Sequence, residues 1–183
     1  PGIYSLSPYS KEEIVSRDYL ISGNVDCIIN IVDATNPERN FYLTMQLIEL
    51  NMPMVIALNM MDEVRANNMI IDIDRLRRHI GVPVVPISAI KKEGINELID
   101  TVIEVSTNKI LPTRQDFCEG AVHRAIHSTA TLIEAHARKF DIPPRFAATK
   151  LIEGDKSVRE KLKLSQNEEE LLDHIVVEME NEK

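Results

Sequence analysis

Val25–Asp33, VDCIINIVD, is a short run rich in β-branched residues that stops at an Asp and a polar turn, the pattern of a buried strand. Pro53–Asn59, PMVIALN, and Val82–Ile87, VPVVPI, have the same length and texture. Strands that are almost continuously apolar, rather than alternating, point to a sheet covered on both faces, the usual state of parallel strands. Between them lie segments of helical spacing: 11–22, opened by a Ser10-x-x-Glu13 capping box, then 38–51 and 73–80, with 95–108 after the third strand. The predicted order α-β-α-β-α-β-α is that of a doubly wound parallel sheet.

Beyond Lys109 the β signal disappears. Residues 109–115 contain Pro112 and no periodicity and read as a connector. Phe117 to Phe140 predicts one long helix with a single apolar stripe, and Pro143 and Pro144 break it. Shorter helices are expected at 145–153 and 157–162, and a last one at 166–179. The expected division is an incomplete α/β domain at 1–108, the connector 109–115 and a helical subdomain at 116–183.

Composition limits the function classes. The 183 residues are 44% hydrophobic and 27% charged with 6 Gly and 9 Pro, as in ordinary globular proteins. A net charge of -8 opposes extended nucleic-acid binding. Cys27 and Cys118 form no C-x-x-C pair, so the spacing implies neither a disulfide framework nor a zinc site, and a reducing compartment fits best. No apolar run approaches the roughly 18 to 20 residues that cross a bilayer, so a soluble chain is expected. The start at Pro1 and Gly2 reads as a fragment of something longer.

The chemistry concentrates where two predicted strands end. Asn59-Met60-Met61-Asp62 closes the second. An Asp at a strand's carboxyl end can accept hydrogen bonds from guanine N1 and N2, while an Asn three residues earlier braces the loop and reaches N7. An isolated N-x-x-D is most often a structural turn. Ser88-Ala89-Ile90-Lys91 follows the third strand; the Ala89 N–H would donate to guanine O6, and small side chains permit close approach of the base. Taken alone, Ser88 reads as a helix cap.

Order and spacing resemble the G-protein superfamily, in which D-x-x-G, N-K-x-D and S-A-K end successive strands. The start, PGIYSLSPYS, with Glu12, Glu13 and Arg17-Asp18-Tyr19-Leu20, is more specifically similar to the cytosolic G domain of the bacterial ferrous iron transporter FeoB. The resemblance continues through Val32-Asp33-Ala34-Thr35-Asn36, Glu38-Arg39-Asn40 and Asn59-Met60-Met61-Asp62, where that family also carries Met for the usual Lys. Arg145-Phe146-Ala147 and Lys150-Leu151 resemble its helical subdomain.

This resemblance implies a P-loop GTPase sheet followed by an all-α subdomain. It implies GTP and GDP as ligands, bound by Gly2, Asn59, Met60, Asp62, Ser88, Ala89 and Ile90. Gly2 would offer its amide to the γ-phosphate, and Ile3, Tyr4, Ser5, Leu6, Ser7, Pro8, Tyr9 and Ser10 would form the second switch. The implied role is regulation of Fe(II) uptake on the cytoplasmic face of a bacterial or archaeal membrane, with the transporter's membrane-spanning part as partner and an oligomer admitted.

One departure qualifies this. The chain contains no G-x-x-x-x-G-K-[ST] loop, so Mg²⁺ is expected only with that loop, hydrolysis by these residues alone is not expected, and no catalytic residue is assigned. Potassium is a candidate activator. Many relatives follow the glycine with a glutamine that orients water; Ile3 cannot hydrogen-bond, so slow turnover suited to a switch is expected. The rival reading is a non-enzymatic interaction module that binds nucleotide weakly or not at all. A ribosome-associated GTPase ranks last because the C-terminal half ends acidic.

His123 and His127 share a helix face, but two ligands make a poor site and no metal is expected there. Met45, Met52, Met54, Met60 and Met61 read as packing, and Glu168-Glu169-Glu170 as a helix N-terminal run that complements the dipole.

Overall fold

Three strands, β1 (Ile28–Asp33), β2 (Met54–Asn59) and β3 (Val84–Pro86), pair in parallel in the order β1-β2-β3. The register matches Ile28 with Met54 and Asp33 with Asn59, and Leu58 with Pro86, so all three carboxyl ends share one edge. This computed structural model describes residues 2–7, 10–22, 24–113 and 116–182. Its residues group into two compact units, one at Gly23–Gln115 and one uniting Pro1–Ser22 with Asp116–Lys183.

In the first unit the chain returns through α2 (Pro37–Glu49), α3 (Met61–Ala66), α4 (Ile73–Ile80) and α5 (Ile95–Thr107). β2 is buried along five of its six residues. Val55 and Ala57 meet Val85, Ile87 and Val105, with Cys27, Ile95, Leu98 and Val102 packed around them. Burial pushes the Cys27 thiol above its ordinary range. β1 departs from the two-sided burial expected. It alternates, with Ile28, Asn30 and Val32 inside while Ile29 and Ile31 are exposed. By register, Ile29 and Ile31 lie on the face of Val55 and Ala57, where α5 packs chiefly on β2 and β3. α2 covers the opposite face, where buried Asn30 donates to Thr44 Oγ1 at 2.7 Å.

The short helix α3 has no counterpart in the sequence pattern; it begins directly behind Met60, which holds the left-handed conformation at φ 67°. After β3, Ser88 and Glu93 exchange backbone hydrogen bonds at 3.1 Å and close a tight loop. Gly94 follows at φ 72°, and a Cβ there would stand 2.3 Å from the Pro86 carbonyl. Only glycine fits this close return of the chain. Residues 110–113 are not a free connector, since the Thr113 N–H and Oγ1 both donate to the Gly81 carbonyl, at 2.8 and 3.1 Å.

The second unit packs α6 (Gly120–Leu132), α7 (Glu134–Lys139), α8 (Pro144–Ile152), α9 (Lys156–Leu162) and α10 (Gln166–Asn181) around buried Ile133, Ala137, Phe146, Leu151, Leu162 and Leu172. The single helix expected over 117–140 is two. Ile133, with ψ 3°, separates α6 from α7, and the helix starts at Gly120 rather than Phe117. At the junction of α7, α9 and α10, His136 meets the Leu162 carbonyl through Nδ1 at 3.0 Å and Glu168 through Nε2 at 3.1 Å. Glu168 also closes a capping box with Ser165, and these Ser165 bonds, with the smaller help of His136, hold its carboxyl down to about 2.

Residues 1–22 join this helical unit, which differs from the division at 108. The reason is polar. α1 (Lys11–Ile21) carries the expected Ser10–Glu13 capping box but buries Arg17 instead of an apolar stripe. Arg17 Nη1 bonds Asp155 at 3.1 Å with both side chains almost fully buried, and Nη2 donates to Ser157 Oγ. Leu6 is wholly buried, and the buried Lys150 ammonium donates to Ser7 Oγ at 3.3 Å and to Glu153 at 2.7 Å.

Removing one partner of a buried ion pair leaves the other charge desolvated. Arg17→Ala is expected to cost about 3 kcal/mol and to speed amide exchange in α1, read by urea denaturation and hydrogen exchange; unchanged exchange would contradict the assignment. Gly94→Ala should lose about 2 to 4 kcal/mol, visible as a lower Tm. Glu168 has its folded value below its ordinary 4.5, so its contribution is complete above that pH and fades as pH falls toward 2. Urea midpoints of Glu168→Gln should therefore vary less with pH across this window than those of the parent chain.

Candidate nucleotide-base site

Ligands of open parallel sheets bind beyond the carboxyl ends of the strands. Here the loops after β2 and β3 are tied to each other at that edge. The Asn59 side-chain oxygen accepts the Ala89 N–H at 3.0 Å. The Met61 N–H donates to the Ile87 carbonyl at 3.2 Å, and the Ala34 N–H to the Asn59 carbonyl at 3.0 Å. After β1, Asp33 Oδ1 accepts both the N–H and the hydroxyl of Thr35, at 2.8 and 2.7 Å, so the neighbouring turn is closed as well.

Asp62 stands in the first turn of α3, half-buried. The neighbouring Ser88 hydroxyl is the largest cause of a carboxyl held below the ordinary aspartate range, and Lys91 and Arg65 add positive charge. Ser88 is fully buried and its Oγ accepts the Lys91 N–H at 3.3 Å. That bond to the residue three positions on is the cap-like contact its sequence context suggests. Arg65 and Glu93 pair across the same two segments. Exposed Met60, Ala89 and Ile90 rim the edge, with Ile90 at 86% exposure.

The structure thus brings Asn59, Met60, Asp62, Ser88, Ala89 and Ile90 together within one unit. It differs from the sequence expectation at one atom. The Ala89 N–H meant for a base oxygen is bonded to Asn59, so a base would share that amide or displace the Asn59 oxygen. Sequence reasoning misses Glu93, Arg65 and Gly94, although a glycine closing a polar loop is an available signal for the last.

Gly2 and the switch residues belong to the other unit. Gly2 is exposed, with nothing near the position of a Cβ. Ser5, Leu6 and Ser7 are buried, and Ser5 Oγ donates to Glu13 at 2.5 Å, while Tyr4 is half-exposed. Ser10 caps α1. Pro8 and Tyr9 lie outside the described residues.

Known proteins share both the sequence and the fold. The family model described as "Ferrous iron transport protein B" matches residues 1–102, and that of the FeoB cytosolic helical domain matches 119–183. An Fe(2+) transport protein A/Fe(2+) transporter FeoB fusion protein of Porphyromonas gingivalis is 40% identical over 163 residues, 86% of this chain and 19% of the relative. The Fe(2+) transporter FeoB of Escherichia coli K12 is 44% identical over 102 residues, 54% of this chain and 13% of the relative. The chain thus spans about a fifth or less of the length of these relatives. A crystal structure of an S. thermophilus NFeoB mutant bound to mGDP superposes with TM-score 0.92 at 40% identity, covering 99% of this chain and 69% of that one. NFeoB from S. thermophilus bound to GDP.AlF4- and K+ gives 0.90 at 40% identity, covering 99% and 70%. With its sheet of P-loop GTPase type and the helical domain that follows, this chain belongs to the ferrous iron transport protein B family.

Proposed function

We infer that this chain carries the guanine-recognition surface and second switch of a GTP-binding, GTP-hydrolysing domain that regulates Fe(II) uptake through a membrane-spanning part of the same transporter. The observation that carries this reading is the bond from the Ala89 N–H to the Asn59 side-chain oxygen, which ties the two loops together at the sheet's carboxyl edge with Asp62 beside them. The ionised Asp62 carboxylate would accept guanine N1–H and N2–H; adenine has no such donor pair. Asn59 would reach N7, and Ala89, with Ser88 beneath it and Ile90 beside it, would meet O6. Relatives of 40% identity bound to mGDP and to GDP.AlF4- and K+ support both the base assignment and potassium as activator.

Gly2 would present its amide to the γ-phosphate. Magnesium would be held by a phosphate-loop hydroxyl, a segment not among these 183 residues. A nucleotide-driven shift of the second switch would pull on Ser7 and, through buried Lys150, on α8, so the switch state would be handed to the helical unit as a change in packing. The place of action is the cytosolic face of the membrane.

The test is a fluorescence titration with labelled GDP, XDP and ADP. GDP is expected to bind selectively, and Asp62→Asn to weaken it about 10- to 100-fold, the range for hydrogen bonds to a charged partner, while improving XDP. Equal GDP and ADP affinity, or an unchanged preference in the variant, would overturn the assignment.

A further inference from the structure

The helical unit holds a second concentration of chemistry, far in character from base recognition. Because α6 begins at Gly120, residues 116–119 are not helical and fold back beside the first turns. This sets Asp116 and Cys118 against His123 and His127, which are four apart on one face of α6. Asp116 Oδ1 is 3.6 Å from His123 Nδ1 and 3.3 Å from His127 Nε2. Cys118 Sγ is 4.0 Å from the same His123 Nδ1. The ligand-capable atoms of Asp116, His123 and His127 all lie within 4.8 Å of one another, and the two rings stand 4.4 Å apart.

These separations have a chemical meaning. Tetrahedral bonds of about 2.0 to 2.3 Å put neighbouring ligand atoms about 3.3 to 3.8 Å apart. The distances from Asp116 to His127 and His123, 3.3 and 3.6 Å, match this spacing, while Cys118 Sγ, 4.0 Å from His123 Nδ1, stands outside that group of three and turns inward to become the fourth ligand. A second observation is that one cationic group already faces three of these side chains. The Arg145 guanidinium reaches Asp116 Oδ1 at 2.5 Å, His127 Nε2 at 3.5 Å and Cys118 Sγ at 3.6 Å. A cation thus already sits against three of the four ligands. Burial acts to raise the Asp116 carboxyl, yet the Arg145 charge and the two histidines outweigh it and hold that carboxyl below its ordinary range.

We propose that Asp116, Cys118, His123 and His127 form a tetrahedral site for a borderline divalent transition metal, with Arg145 as the resident cation that the metal displaces. Two imidazoles, a thiolate and a carboxylate suit Zn²⁺, Co²⁺ and Fe²⁺ and disfavour Mg²⁺ and Ca²⁺. Binding requires the Cys118 thiol to release its proton to solvent and both imidazoles to be neutral. The pair His123 and His127, weighed alone from the sequence, is a poor site; the two ligands that complete it come from an irregular segment whose path no periodicity foretells.

The experiment is an anaerobic titration of the full chain with Co²⁺, followed by absorption spectroscopy. Saturation at one ion per chain is expected, with visible d–d bands of tetrahedral intensity and a thiolate charge-transfer band in the near ultraviolet, and Zn²⁺ should bleach both by displacement. Cys118→Ser should abolish the charge-transfer band, Cys27→Ser should leave it, and His123→Ala and His127→Ala should each weaken binding at least about 10- to 100-fold. Arg145→Ala should tighten binding by releasing Asp116 to the metal, a gain that general damage to the fold would not produce. Absence of saturable binding, a spectrum indifferent to Cys118→Ser, or weaker binding in Arg145→Ala would each overturn the proposal. Circular dichroism of the variants establishes that these partly exposed positions leave the helices intact.

Discussion

The Asn59 side-chain oxygen, accepting the Ala89 N–H at 3.0 Å, is the contact on which the sheet's carboxyl edge depends. It ties the loop behind β3 to the end of β2, and the Met61 N–H repeats the tie in the opposite direction by donating to the Ile87 carbonyl. Ser88, sealed from solvent, accepts the Lys91 N–H and closes the second loop on itself. The two loops are therefore held in register by the fold, and under the proposed reading the ordering cost of base recognition falls on folding rather than on binding.

Much of this edge is legible in the residues. The three β-branched runs place parallel strands, and N-x-x-D with S-A marks their carboxyl ends as the site. Local chemistry suffices there because the ligating groups come within a few residues of each strand's end. What is not legible is the partner each atom takes. The Ala89 N–H has two reasonable acceptors, and only the folded loop shows that Asn59 holds it. The half-covered face of β1 is hidden for a similar reason: Ile29 and Ile31 read as buried until the reach of α5 is known.

In the helical unit the periodic segments are legible and the polar interior is not. Arg17 and Lys150 look like surface cations on amphipathic helices. They are buried because Asp155, Ser7 and Glu153, from distant parts of the chain, meet them. Such pairs rarely exceed an apolar replacement in stability, so their value lies in fixing one geometry. The segment bearing Ser5, Leu6 and Ser7 is tied to α8 by that geometry, through the Lys150–Ser7 bond.

The two units also differ in when they can be completed during synthesis. Among the described residues each strand pairing joins sequence neighbours through a single crossover, so these pairings can close once residue 86 has left the ribosome. Arg17 instead waits across 138 residues for Asp155, and Ser7 across 143 for Lys150. Loop closure over such spans is slow. The contacts of Arg17 and Ser7 therefore close later than the strand pairings, and until then both side chains stay hydrated.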